Sequence, residues 1–396
     1  MNICIFSPHF GGGYGVGYSA QKEVDCLVKK NHKIWVIHRE NNIANYKING
    51  VKYFYIPYNK IPILGILKLK RDLDRLVKKI SSEGINLFYV NSLEFGLVKK
   101  ELIEKYPVVY FARSTIKGIN KNKRKDCWLD SIKKFFLNPF LIYLEKRCLR
   151  ISSHILVKST IMKKEIEALY GVNNFSISVV SGGIDAKDFP QMNEVEKNKF
   201  KKTLNLNQKE KLILFIGRIS PIKGIYYLIE GFSNIVNKFE DVKLLIAGNS
   251  MMGGYEGFIK RMVKNLKLDN RVVFLGYIPQ EDVYKYINIS DVVVLPSTYE
   301  PFGMTHIQVA LLGKPLITTK SVGALEFIEN YNLLKLIEPF SSQEIERALI
   351  DLIENNNLKN NRFPLDLKYL SWESMTSKLD LIFKRVAATN SADKTI

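Results

Sequence analysis

Lys211-Leu212-Ile213-Leu214-Phe215-Ile216-Gly217-Arg218-Ile219-Ser220-Pro221-Ile222-Lys223-Gly224 decides the fold. Residues 212–216 are an apolar run of strand length, which a strand buried on both faces requires. A glycine ends the run, and a compact turn with Arg218 and Lys223 follows. A helical pattern comes next. Strand, Gly-rich turn and helix in that order make the opening unit of a parallel α/β sheet.

The same unit opens the chain. Residues 2–6 read as a strand, followed by Gly11-Gly12-Gly13-Tyr14-Gly15-Val16-Gly17 and a second helical pattern. Between these two openings lie apolar runs at 33–37, 53–56, 87–91, 108–112, 154–158 and 177–180. After the second opening come runs at 243–247, 272–275, 292–295 and 315–318. The alternation runs twice, which predicts two similar α/β domains. A length of 396 residues suits two cores of moderate size. Residues 185–208 are polar and poor in strand formers, and read as a linker with a short helix. The expected domains are 1–188 and 205–369, with a helix at about 370–388 packing back on the first.

Composition narrows the class. Hydrophobic residues make up 46% and charged residues 25%, the balance of a folded soluble chain. No window approaches the roughly 18 apolar residues of a membrane span. The N-terminus lacks a basic segment before its apolar run, so a secretory signal is not expected. Cys4, Cys26, Cys127 and Cys148 are scattered, with neither metal spacing nor a disulfide framework, which points to a reducing cytoplasm. The 59 Lys and Arg against 39 Asp and Glu give a net charge of +20. Between residues 117 and 150 ten basic residues face three acidic ones. Such a field attracts phosphate-bearing ligands or an anionic membrane surface, unless it is only solvated charge. Nucleic acid is not expected as a partner, because aromatic residues are not interleaved with the basic run.

One helix carries Ile66, Leu69, Leu73, Leu76 and Ile80 on one face and Lys68, Lys70, Arg71, Arg75, Lys78 and Lys79 on the other. It reads as a surface helix on a sheet, with a membrane-lying helix as the alternative. The apolar residues just before it, 58–67, read as a loop and keep that alternative open.

Three turns carry candidate chemistry. Gly12 and Gly13 let backbone approach a diphosphate, with the next helix N-terminus beside them; a plain tight turn is the alternative. Arg218 and Lys223 stand at a strand's C-terminal edge, where open α/β sheets bind ligands. A guanidinium grips two phosphate oxygens and an ammonium adds a point charge. Pro296-Ser297-Thr298-Tyr299-Glu300-Pro301-Phe302-Gly303-Met304 follows the strand at 292–295. There the N–H groups of Gly303, Met304 and Thr305 can face an anion. Glu300 suits sugar hydroxyls, or else caps the helix that follows.

With these residues in view, the chain resembles the retaining glycosyltransferases of family 4, which have the GT-B fold: two facing Rossmann-like α/β domains with mostly parallel sheets and an interdomain cleft. The resemblance is strongest over residues 211–326. In 154–189, Ser159 and Val179-Val180-Ser181-Gly182-Gly183-Ile184-Asp185 are similar to a second family segment, with Ser181 and Gly182 where Pro and Asn are usual. The resemblance implies that Arg218 and Lys223 bind the donor diphosphate. It implies that Glu300 contacts the donor sugar, and that position 308, here Gln308 where the family has Glu, meets the ribose. Arg113 stands where family members often have His, and is a candidate contact to donor or acceptor charge.

The implied activity is retaining transfer of a sugar from a nucleotide sugar, UDP-sugar by default, to a glycan or lipid-linked phosphorylated acceptor in envelope polysaccharide assembly. No metal or other cofactor is expected. The histidines are scattered, and Asp72-Leu73-Asp74 falls on the basic helix. The expected location is cytoplasmic, peripheral at the inner face of the membrane. A nucleotide-sugar epimerase of the same fold and a non-catalytic glycan-assembly subunit are the rival readings.

Overall fold

The computed structural model describes residues 1–12, 15–58, 62–122, 131–172, 176–250, 253–354 and 367–392. The chain divides into two compact units. One comprises Met1–Lys117, Lys133–Ile184 and Lys368–Ile396, the other Gly118–Ile132 and Asp185–Leu367.

The first unit holds seven parallel strands: β1 (Asn2–Phe6), β2 (Lys33–His38), β3 (Lys52–Tyr55), β4 (Leu87–Val90), β5 (Val108–Phe111), β6 (His154–Val157) and β7 (Ile177–Val179). Their spatial order is β3-β2-β1-β4-β5-β6-β7. The central strands are apolar because helices cover both faces: β4, β5 and β6 are buried at every residue. One face packs on the helix Pro62–Ser81 through Leu69, Leu73, Val77 and Ile80. The expected stripe at Ile66 and Leu76 is only partly buried, so the inward face turns through Val77 instead. Residues 62–67, read from sequence as part of an apolar loop, are the first turns of this helix. The opposite face packs on the helix Gly15–Lys29 and on the long C-terminal helix Trp372–Ala392. That helix inserts Met375, Leu379 and Phe383 beside Val24, Leu27 and Phe111.

The second unit holds β8 (Lys211–Ile216), β9 (Val242–Ala247), β10 (Val272–Gly276), β11 (Val292–Leu295), β12 (Leu316–Thr319) and β13 (Leu334–Ile337). All run parallel, in the order β10-β9-β8-β11-β12-β13. The sequence reading missed β13. It is an edge strand whose middle residues are exposed, so it lacks the apolar run of a strand covered on both faces. The segment read as a linker belongs to this unit. Its helix Glu194–Thr203 opens with a capping box between Asn193 and Glu196, and Phe200 meets Tyr286 edge-on with ring centroids 5.1 Å apart. One aromatic contact on an otherwise polar helix gave little periodicity to read.

In each sheet the first strand has its successors on both sides: β1 between β2 and β4, β8 between β9 and β11. The loops leaving those strands therefore diverge at a topological switch point, where open α/β sheets bind ligands.

Candidate functional site

In the second unit the loops after β8 and β11 meet at the switch point. Gly224 makes the approach possible. Its φ is +67°, and a Cβ there would lie 1.9 Å from the Pro296 carbonyl oxygen. The Thr298 N–H donates to the Ile222 carbonyl at 2.9 Å, so one loop reads the other's backbone. The second loop is tied behind as well: Gly323 N–H donates to the Glu300 carbonyl at 3.0 Å and Ala324 N–H to that of Phe302 at 2.6 Å.

This scaffold brings Lys223 and Glu300 together. The Lys223 ammonium donates to Glu300 Oε2, and both side chains are largely withdrawn from water. Burial alone would push the Glu300 carboxyl up. The Lys223 charge, with Arg218 adding to it, outweighs burial and holds the carboxyl below its ordinary range. Arg218 is exposed at the mouth of the loop. Between the two cations Ser220 Oγ is shut off from solvent and has no hydrogen-bond partner.

Gly303, at φ +100°, caps the helix Met304–Leu311 and turns the chain into its first turn. A helix's first N–H groups have no intrahelical acceptor, so Met304 and Thr305 present donors at this end. Gln308 is one turn further along and buried. His306, assigned no role from sequence, is buried beside Glu300. Its Nε2 lies 2.8 Å from Thr318 Oγ1, and a Cβ on Gly303 would come within 2.6 Å of its Nδ1. Burial pushes the imidazole down to about 4, so it is neutral near pH 7. The only sequence cue was its place in the first turn after the glutamate motif. Arg218, Lys223, Glu300, Gly303, Met304, Thr305 and Gln308 thus lie on two adjoining loops and the helix that continues one of them.

The remaining candidates lie in the first unit. Gly11 and Gly12 both have positive φ. Gly11 packs on the Tyr46 ring, while a Cβ on Gly12 would meet nothing within 4 Å. Gly13 lies outside the described residues. Arg113, just past β5, donates to Glu23 Oε1 at 2.8 Å and to Asn91 Oδ1 at 3.2 Å. Glu23 also accepts from the Tyr89 hydroxyl at 2.9 Å. Its guanidinium is therefore neutralised within its own unit, by a glutamate whose burial in the middle of a helix gave no sequence signal. Ser159 caps the helix Thr160–Tyr170 by accepting from Met162 N–H, and Ser181 donates to the Lys158 carbonyl at 2.8 Å. Asp72 and Asp74 sit on the helix Pro62–Ser81. Asp74 accepts from Lys70 and from the Lys99 N–H. No cluster of three His, Cys, Asp or Glu able to hold a metal occurs among the described residues.

Comparison with known proteins bears on both units. A family model described as Glycosyltransferase Family 4 matches residues 14–188, and one described as Glycosyl transferases group 1 matches residues 196–363. An uncharacterised glycosyltransferase of Methanocaldococcus jannaschii is 27% identical, over 96% of this chain and 96% of its own. A capsular polysaccharide biosynthesis glycosyltransferase of Staphylococcus aureus is 26% identical, over 91% of this chain and 93% of its own. Among solved structures, a sucrose-phosphate synthase of Thermosynechococcus elongatus superposes with a TM-score of 0.80 at 19% identity, covering 98% of this chain and 99% of that one.

Proposed function

This chain belongs to the family 4 glycosyltransferases and has their GT-B fold, and from that premise we propose that it moves a sugar, with retention of anomeric configuration and without a metal, from a UDP-sugar to a glycan or lipid-linked phosphorylated acceptor. The observation that carries the reading is the Lys223–Glu300 pair at the switch point of the second sheet, with Arg218 beside it.

Lys223 and Glu300 neutralise each other in the structure. An arriving diphosphate takes over Lys223 and Arg218, and Glu300 turns to the sugar hydroxyls. As the bond from C1 to the diphosphate oxygen breaks, its electron pair stays on the diphosphate. The two cations and the N–H groups of Gly303, Met304 and Thr305 stabilise that charge. The acceptor oxygen bonds C1 on the same face, and its proton passes to a leaving phosphate oxygen. Neutral His306 beside Glu300 adds no competing cation near pH 7. Gln308, replacing a charged ribose contact by a neutral one, offers both a donor and an acceptor.

The likeness to a capsular polysaccharide glycosyltransferase supports a surface-glycan acceptor. The helix Pro62–Ser81 supports peripheral attachment at the cytoplasmic face: Leu64 and Leu67 are exposed on a helix that also carries six basic residues. No helix among the described residues is long and apolar enough to cross a membrane. UDP rests on its frequency in the family.

The test is a thermal-shift screen of the full chain against UDP, GDP and ADP sugars, followed by NMR of the anomer formed. Stabilisation by a UDP-sugar and an axial product from an axial donor are expected. An inverted product, or stabilisation by none of the donors, contradicts the proposal. Gln308 and the neutralised Arg113 favour one second reading, a non-catalytic subunit. Hydrolysis of the stabilising donor in the absence of acceptor rules it out.

A further inference from the structure

At the C-terminal ends of β2 and β3, in the first unit, a cavity of about 330 Å³ has among its lining residues His38, Glu40, Asn41, Lys47, Tyr53 and Tyr55. It lies outside the Lys223–Glu300 site and takes no part in the chemistry above. Its volume is at the lower end of the range of about 300–1,000 Å³ usual for small-molecule sites.

The wall is aromatic for a local reason. Residues two apart in a strand face the same side, so Tyr53 and Tyr55 share a face of β3. Strand register sets His38 opposite Tyr55. The imidazole packs on both rings, with centroids 6.2 Å from Tyr53 and 5.7 Å from Tyr55. The rings are also held in place: Tyr53 hydroxyl accepts from Ile48 N–H at 2.9 Å, and Tyr55 hydroxyl donates to Asn41 Oδ1. His38 is 4% exposed, and its Nδ1 has no hydrogen-bond partner. Burial lowers its proton affinity, opposed by a hydrogen bond with the Glu40 backbone, and the neutral ring serves as the packed floor beneath the two tyrosines.

The polar groups select against charge. Lys47 contributes a cation and Glu40 an anion, the latter 2.7 Å from His9 Nδ1. A phosphate would meet the carboxylate and an amine would meet the ammonium. A neutral ligand with an apolar face and a rim of hydroxyls suits both the rings and the mixed donors and acceptors. We infer that this pocket binds a neutral hexopyranose of the acceptor glycan, its C–H face on the tyrosine wall and its hydroxyls on Glu40 and Lys47. This rests on the transferase reading, and assigns part of the acceptor specificity to residues that the donor site does not use.

The experiment is saturation-transfer NMR on the full chain at saturating UDP, with the methyl glycosides of glucose, galactose, mannose and N-acetylglucosamine as probes. Saturation transfer to at least one glycoside is expected. Tyr55→Ala, at a half-exposed position whose loss leaves the core intact, weakens it about five- to tenfold, the size of one lost ring contact. Tyr55→Phe, which keeps the ring, weakens it less. No transfer to any of the four glycosides, or an unchanged affinity in a folded Tyr55→Ala protein, overturns the inference. UDP binding in the same samples reports on the donor reading separately. Normal UDP binding without glycoside signal sinks the pocket alone. Glycoside signal that falls with Tyr55→Ala while UDP fails to bind supports the pocket and sinks the donor reading.

Discussion

Lys223 and Glu300 are 77 positions apart, yet each is the other's partner. Their residue types and their places after strands were legible in the sequence, because a cation and a carboxylate on loops at strand ends have few structural uses. Their pairing was not legible, since it depends on Gly224 and Pro296 touching. Removing either partner strands a buried charge as well as a ligand contact. Lys223→Ala and Glu300→Ala are each expected to lower kcat/KM by about 10²–10³-fold in a transfer assay, with a lower melting temperature in a still-folded protein. Near-normal transfer by either variant contradicts the site. Gln308→Glu, which restores the charge usual in the family, is expected to leave donor affinity within about threefold by calorimetry, a difference of under 1 kcal/mol; abolished binding would take Gln308 away from the ribose. His306 was missed because a buried histidine in a first helical turn looks like any other core residue. In the folded chain it resists protonation down to about 4, whereas the unfolded chain takes a proton below about 6.5. Its contribution therefore erodes as pH falls through that window, by roughly 3 kcal/mol at most. Urea melts at pH 7 and pH 5 are expected to show a smaller acid loss for His306→Asn than for the parent chain. Equal losses would mean that His306 is not the group responsible.

At the scale of elements, the buried strands announced themselves and the partly exposed ones did not. β4, β5, β6 and β11 are covered on both faces and read as apolar runs. β13 at a sheet edge, with Lys335 and Leu336 both exposed, did not. The turns followed the same logic. Gly217-Arg218 and Lys223-Gly224 were visible as a motif, but the reason for Gly224 is a neighbouring loop's carbonyl. Gly224→Ala puts a methyl carbon where the Pro296 oxygen already sits and demands a left-handed backbone from alanine. It is expected to cost several kcal/mol, beyond the roughly 1 kcal/mol of the backbone term alone, and to weaken UDP binding together with stability. Denaturant melts and a UDP titration on the same preparation check both; unchanged stability would mean that the two loops do not meet there.

For the whole molecule, the doubled pattern of strand, glycine turn and helix carried the fold class, because parallel sheets impose it twice. What the pattern could not carry was the assignment of polar segments to a unit, as with residues 185–208, which lie with the second sheet. The C-terminal helix Trp372–Ala392 joins the first unit's core from the far end of the chain. Phe383 is fully buried there, its ring 5.1 Å from that of Tyr89. Phe383→Ala is expected to destabilise that unit by about 3–5 kcal/mol in denaturant melts, and a change below 1 kcal/mol would contradict the packing. The central claim is that the guanidinium of Arg218 and the ammonium of Lys223 hold a nucleoside diphosphate on the second sheet. Calorimetric titration of the full chain with UDP, beside the Arg218→Ala/Lys223→Ala double variant, tests it most directly. A measurable affinity that falls by about a hundredfold or more in a folded double variant is the predicted result, as expected for two lost charge-assisted contacts. An affinity that the double variant leaves unchanged would contradict the account.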